Sequence, residues 1–108
     1  MIAITVFETN DEIKGFLTEG HSGYAEEGYD IVCSAVSILS YTILNSLNLV
    51  AGVSPENMEY NVDETGLMSV RTLKNNDKTD IVYRTFLVGI ELLLEDYSDY
   101  ITLKFEEV

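Results

Sequence analysis

An α+β two-layer sandwich, a mainly antiparallel sheet carrying two helices in the order ββαββαβ, is the fold class the sequence predicts. Three observations predict it. Two long segments, Ile31 to Val50 and about Thr79 to Asp96, repeat apolar residues at helical spacing. Five shorter segments read as strands, rich in β-branched residues or alternating apolar with polar ones, and polar or glycine-containing breaks separate the seven elements. The 108 residues suffice for one core and not for two, so a single domain over residues 1–108 is expected, with no linker, low-complexity tract or clear repeat inside it.

Ile2 to Glu8, IAITVFE, is the first strand, on β-branched content rather than perfect alternation. TNDE is a turn, and the following segment, with Ile13, Phe16 and Leu17 and ending at Gly20, is its hairpin partner despite Gly15 in the middle. In the first helix Val32, Ala35, Val36, Leu39, Ile43, Leu47 and Val50 form a broad stripe. Ile31, Ile38, Leu44 and Leu49 fall outside it, so this helix is apolar most of the way round and suits a core or a subunit contact. AGVSPEN breaks the chain, and MEYNVD and GLMSVRTL form two strands joined by DETG, whose glycine suits a hairpin turn. Asn75 to Lys78 make another break before the second helix, whose expected buried side is Ile81, Val82, Phe86, Leu87, Ile90, Leu93, Leu94 and Tyr97. The chain closes on a half-buried strand, with Ile101, Leu103 and Phe105 alternating with Thr102, Lys104 and Glu106.

Nineteen acidic against six basic residues give a formal charge of −13, which repels a phosphate backbone and argues against direct nucleic-acid binding. A basic protein partner is compatible with that charge, and so is a surface that is acidic only for solubility. No apolar run is read as reaching membrane-spanning length, and MIAITVFETN lacks the basic start and apolar stretch of a signal peptide. With one cysteine there is no internal disulfide, and a reducing cytoplasm is the expected compartment.

The stretch GHSGYAEEGYDIVCSAVSILS holds the only histidine, His21, and the only cysteine, Cys33. Asp30 has the residue type of an N-cap, which would put Cys33 in the first turn, where unpaired N–H groups and the helix dipole favour a thiolate. Imidazole is the side chain suited to take and return a proton near neutral pH, and His21 is the one candidate. Gly20, Gly23 and Gly28 would ease the loop between them. The plainer readings are a cysteine packed in the core and a histidine on the surface. One Cys and one His leave a zinc site two ligands short, so no metal is expected. Ser37 falls one turn beyond Cys33 and either faces the same pocket or bonds back to its own helix. Tyr24 and Tyr29 line a groove or pack, and Glu26 and Glu27 form a solvated face or attract a basic substrate.

These residues resemble the bacterial ribosomal-processing cysteine protease family, Prp. The resemblance rests on Gly20, His21, Ser22 and Gly23, then Gly28, then DIVC at Asp30 to Cys33 and AVS at Ala35 to Ser37, and chain length and element order agree over nearly the whole sequence. Ser22 and Ser34 depart from the alanines more usual there. The resemblance implies a homodimeric endopeptidase without a cofactor. It removes the short N-terminal extension from the precursor of large-subunit ribosomal protein twenty-seven, with Cys33 as nucleophile and His21 as base and acid. Backbone N–H groups at the helix start, that of Cys33 included, are expected to receive the oxyanion. The segment Ser22 to Tyr29 is expected to act as a substrate loop, with Gly20 at its root. Asp30 either caps the helix or orients His21, with capping favoured. The competing class is a noncatalytic acidic dimer that holds a basic ribosomal protein during assembly.

Overall fold

β-Branched and aromatic residues at alternate positions build a five-stranded sheet in the computed structural model, which describes residues 1–20, 27–63 and 66–108. Its elements are β1 (Ile2–Thr9), β2 (Glu12–Glu19), α1 (Glu27–Leu49), β3 (Met58–Val62), β4 (Met68–Thr72), α2 (Asp77–Tyr97) and β5 (Ile101–Glu107), with a 3-10 turn at Pro55–Asn57. The strand order is β3-β4-β2-β1-β5, antiparallel throughout except where β5 runs parallel to β1. This is the expected α+β class with the expected order of elements.

Asn10 and Asp11 turn the first hairpin with φ of 50° and 68°, the pair of left-handed residues that matches the twist of two antiparallel strands. One residue of irregularity follows between Phe7 and Glu8. Gly15 is required by β4, because a Cβ there would collide with the Val70 carbonyl oxygen. The vacated space also lets Arg71 reach across β2 and stack its guanidinium 4.4 Å from the Phe7 ring centroid. One face of the sheet presents Ile2, Ile4 and Val6 of β1, Phe16 of β2 and Val70 of β4 to the helices, all buried.

On α1 the buried residues are Val32, Val36, Ser40, Ile43, Leu44 and Leu47. Leu44 therefore belongs to the core, against expectation, and Val50 is exposed. The run Asp30–Leu49 does have the length and apolar composition of a membrane-crossing helix, contrary to the reading of the sequence. Here it lays its apolar face on the sheet instead. α2 begins at Asp77, two residues earlier than predicted, because Asn76 caps it: its side chain accepts from the N–H groups of Lys78 and Thr79, and Thr79 Oγ1 accepts from the Asn76 N–H. Ile81, expected inside, is exposed at 65%, whereas Tyr83 is buried at 1%.

Tyr83 forms the polar centre of the core. Phe16 stacks on Phe86 with centroids 4.3 Å apart and meets Tyr83 edge-on at 6.5 Å. The Tyr83 hydroxyl lies 3.1 Å from Thr72 Oγ1 and donates to the Lys14 carbonyl at 3.3 Å. Burial pushes its pKa up to about 12, outweighing the opposing hydrogen bond with Thr72. Because the fold favours the neutral phenol, this contribution is complete below pH 10 and is lost as pH rises to about 12; linkage gives up to roughly 3 kcal/mol. Denaturant unfolding between pH 9 and 12 should show that loss in the wild type, and Tyr83→Phe should flatten the curve.

Candidate active site

β2 and α1 are the two elements that carry the site, and the chain passes directly from one to the other. β2 ends at Glu19, and Gly20 follows with φ of 91°, a left-handed turn in which a Cβ would also strike the Met1 carbonyl oxygen. Glycine is therefore needed to turn the chain off the sheet just before His21. Gly20→Ala should cost about 2–3 kcal/mol from the left-handed penalty and the clash together. It should also lower kcat/KM measured on the folded enzyme, since it redirects the approach to His21. His21, Ser22, Gly23 and Tyr24 lie outside the described residues.

The helix then starts earlier than the sequence suggested. α1 begins at Glu27, so Gly28 and Tyr29 are helical residues and not part of a loop, and Asp30 lies within the first turn rather than at the cap. Its carboxylate, exposed to solvent, still sits where the helix dipole favours negative charge. Cys33 becomes the seventh helical residue, in the second turn. Its N–H is committed to the helical ladder, so an oxyanion must find other donors than the Cys33 amide. The dipole effect fades within the first turn, so the helix start gives a second-turn cysteine little help toward the thiolate form.

Cys33 is half-buried, one flank against the hydrophobic core and the other toward solvent. That placement keeps the sulfur positioned by packing yet reachable. Ser37 follows one turn on, and with Ser40 and Tyr41 continues the same helical face. These three form one wall of a cavity of about 110 Å³. Its floor is one row across the sheet, Thr18 of β2 paired with Met68 of β4 and Met68 paired with Val62 of β3. Asp63 and Gly66 close one side from the β3–β4 turn. The turn is tied by Leu67 N–H to Asp63 Oδ1 at 3.2 Å and Gly66 N–H to the Asp63 carbonyl at 3.3 Å. Ser37 thus lines this cavity, whose described lining does not include Cys33.

Ser40, Thr18 and Met68 belong to no motif that would mark them in the sequence. A seven-residue step from Cys33 is the only signal that pointed to Ser40, and nothing in the sequence pairs Thr18 with Met68. Among the described residues no three His, Cys, Asp or Glu side chains gather in a way that could hold a metal ion.

Known proteins resemble this chain over nearly its whole length. The profile of a family described as cysteine protease Prp matches residues 1–102. The ribosomal processing cysteine protease Prp of Staphylococcus aureus is 30% identical, the match covering 98% of this chain and 100% of that one. The crystal structure of the S. aureus protease in complex with a substrate peptide superposes with a TM-score of 0.83 at 26% identity, covering 98% and 100% of the two chains. The same protease with a covalently linked product peptide gives 0.79 at 27% identity over the same shares.

Proposed function

This chain belongs to the Prp family of cysteine proteases, and from that membership we propose that it removes the N-terminal extension from the precursor of large-subunit ribosomal protein twenty-seven. The enzyme is a cysteine protease of the ribosomal-processing kind. The observation that carries the finer reading is the placement of its one cysteine. Cys33 is half-buried on α1, one turn before Ser37, which lines a cavity of about 110 Å³, and 14 residues after the end of β2 at Glu19.

In the proposed reaction the Cys33 thiolate attacks the scissile carbonyl carbon, forming an S–C bond while the carbonyl oxygen becomes the oxyanion. The C–N bond then breaks, and the imidazolium of His21 gives its proton to the leaving amine. Water adds to the thioester with His21 accepting its proton, and the S–C bond breaks to release the carboxylate product and return the thiolate. Asp30, one turn before Cys33 on α1, lies inside the helix and is exposed, so it does not act as the cap. No cofactor enters these steps. A strongly acidic enzyme, at −13, draws a basic ribosomal protein toward itself and keeps nucleic acid away.

The proposal includes a homodimer working in the cytoplasm. Exposed apolar stripes support it: Ile31 and Ile38 on α1, and Ile81, Val88 and Leu92 on α2, next to the point where Leu39 packs against Gly89. Sedimentation across a range of concentrations checks the oligomeric state. The function itself is tested by incubating the purified enzyme with the precursor from the same genome and measuring intact mass. Loss of one discrete N-terminal piece is expected, and an uncut precursor in the presence of folded enzyme would count decisively against it.

A further inference from the structure

β5 closes one edge of the sheet and carries neither the proline nor the bulge that commonly blunts an edge strand. It runs seven residues in unbroken register with β1, from Ile2 beside Ile101 to Glu8 beside Glu107. The opposite edge, β3, is five residues long and starts directly after the 3-10 turn that holds the proline. Two contacts hold the end of β5 extended: Thr9 Oγ1 donates to the Val108 carbonyl at 3.0 Å, and Glu107 Oε1 accepts from the Asn10 N–H at 3.0 Å. The ladder with β1 fixes which backbone groups are left over. The Ile2 N–H donates to the Tyr100 carbonyl at 2.8 Å and the Val108 N–H to the Glu8 carbonyl at 2.9 Å, so the even-numbered residues of β5 face β1. Leu103, Phe105 and Glu107 therefore turn their N–H and C=O groups outward. Phe105, opposite Val6 in the ladder, adds an apolar ring on the helix side of the sheet, exposed at 50%.

We propose that β5 pairs antiparallel with β5 of a second copy, about a two-fold axis at Phe105, joining the two sheets edge to edge. Charge complementarity selects both the occupant and the register. Residues directly opposite in an antiparallel pair either both aim their backbone groups at the partner strand or both aim them away, so a two-fold pair must centre on one residue. Centred on Lys104 it would set that lysine against itself, and centred on Glu106 it would set two carboxylates together. Centred on Leu103 it would leave Lys104 opposite Thr102. With Phe105 at the centre, each Lys104 stands opposite Glu106 of the second copy on the face away from the helices, and the two Phe105 rings adjoin on the other face. Leu103 then exchanges bonds with Glu107 of the second copy, for about six interstrand hydrogen bonds in all. Lys104 and Glu106 are both exposed, and neither is in an ion pair among the described residues. Each copy carries −13, but at about 0.15 M salt that repulsion is screened beyond about 8 Å, while the Lys104–Glu106 contacts act within that range. The contact is separate from the apolar helix stripes, leaves the cavity over β2, β4 and β3 uncovered, and is independent of the protease reading.

Charge reversal tests the register. Sedimentation velocity over a concentration series at about 0.15 M salt should show the wild type forming an edge-paired species. Lys104→Glu sets carboxylate against carboxylate across the pair, and Glu106→Lys sets ammonium against ammonium. Each should weaken that association step about tenfold or more, with thermal unfolding near wild type because both side chains are exposed. The double swap, Lys104→Glu with Glu106→Lys, should restore the step to within about threefold of wild type. Cross-linking gives a second readout in the Cys33→Ala background. Phe105→Cys should form an interchain disulfide under mild oxidation, since facing Cα atoms of a hydrogen-bonded pair stand about 5.5 Å apart, whereas Lys104→Cys should not, its counterpart lying beyond about 7 Å. Association that ignores both single reversals, or that the double swap fails to restore, overturns the pairing, as does cross-linking with Lys104→Cys but not with Phe105→Cys. A wild type that keeps one mass across the series, with no cross-link in Phe105→Cys, overturns it as well.

Discussion

Cys33→Ala should abolish processing of the precursor, with a fall of at least about 10⁴-fold, because no second thiol exists in the chain to take over the attack. The fold should survive. Cys33 is only half-buried, and trimming its sulfur removes a small contact at the edge of the core worth about 1 kcal/mol or less. Circular dichroism and thermal unfolding should therefore be near wild type while intact mass shows the precursor uncut. Packing alone predicts the reverse pattern: a less stable variant whose folded fraction still cleaves at the normal rate. The two measurements together separate a nucleophile from a core cysteine.

The second large effect is expected at His21. A general base and acid contributes about 10² to 10⁴ in rate, and His21→Ala should lose that much. The position of Cys33 in the second turn adds a further expectation. A cysteine at the helix N-terminus would have its thiolate favoured by the unpaired N–H groups, whatever His21 did. With the helix starting at Glu27, that help is weak, and the proposed mechanism assigns the positive charge to the imidazolium of His21. Iodoacetamide should thus alkylate Cys33 at mildly acidic pH in the wild type. In His21→Ala the rate should rise only near the ordinary thiol pKa of about 8.5. An alkylation profile identical in the two proteins would mean that His21 does not act on the thiol.

Much of this architecture is legible in the chain because its signals are local. The alternation of Ile101, Leu103 and Phe105, the hairpin turn at Asn10 and Asp11 and the long apolar helix each depend on neighbours in sequence. The misreadings share one cause. Ile81 sits on an apolar helix face and yet is exposed, because α2 is set down on the sheet by Phe86, which stacks on Phe16 of another element, and by Tyr83, which meets the same ring edge-on. The capping preference of Asp30, which predicts a helix from Ile31, is worth about 1 kcal/mol, a margin that tertiary packing easily exceeds, and α1 begins at Glu27.

The sequence by itself determined the class of fold and narrowed the candidates for a reactive pair to two residues, since only one cysteine and one histidine exist. Only the tertiary structure decided which residues meet around the cavity beside Ser37 and Ser40. The cavity beside Ser40 is built from Thr18, Met68 and Val62, whose meeting is fixed by the register of β2, β4 and β3, and from a turn of α1 laid over them. Strand register and helix docking are set by the packing of side chains far apart in the chain, so a hydroxyl that looks like any other helix serine in sequence is left without a partner in the fold.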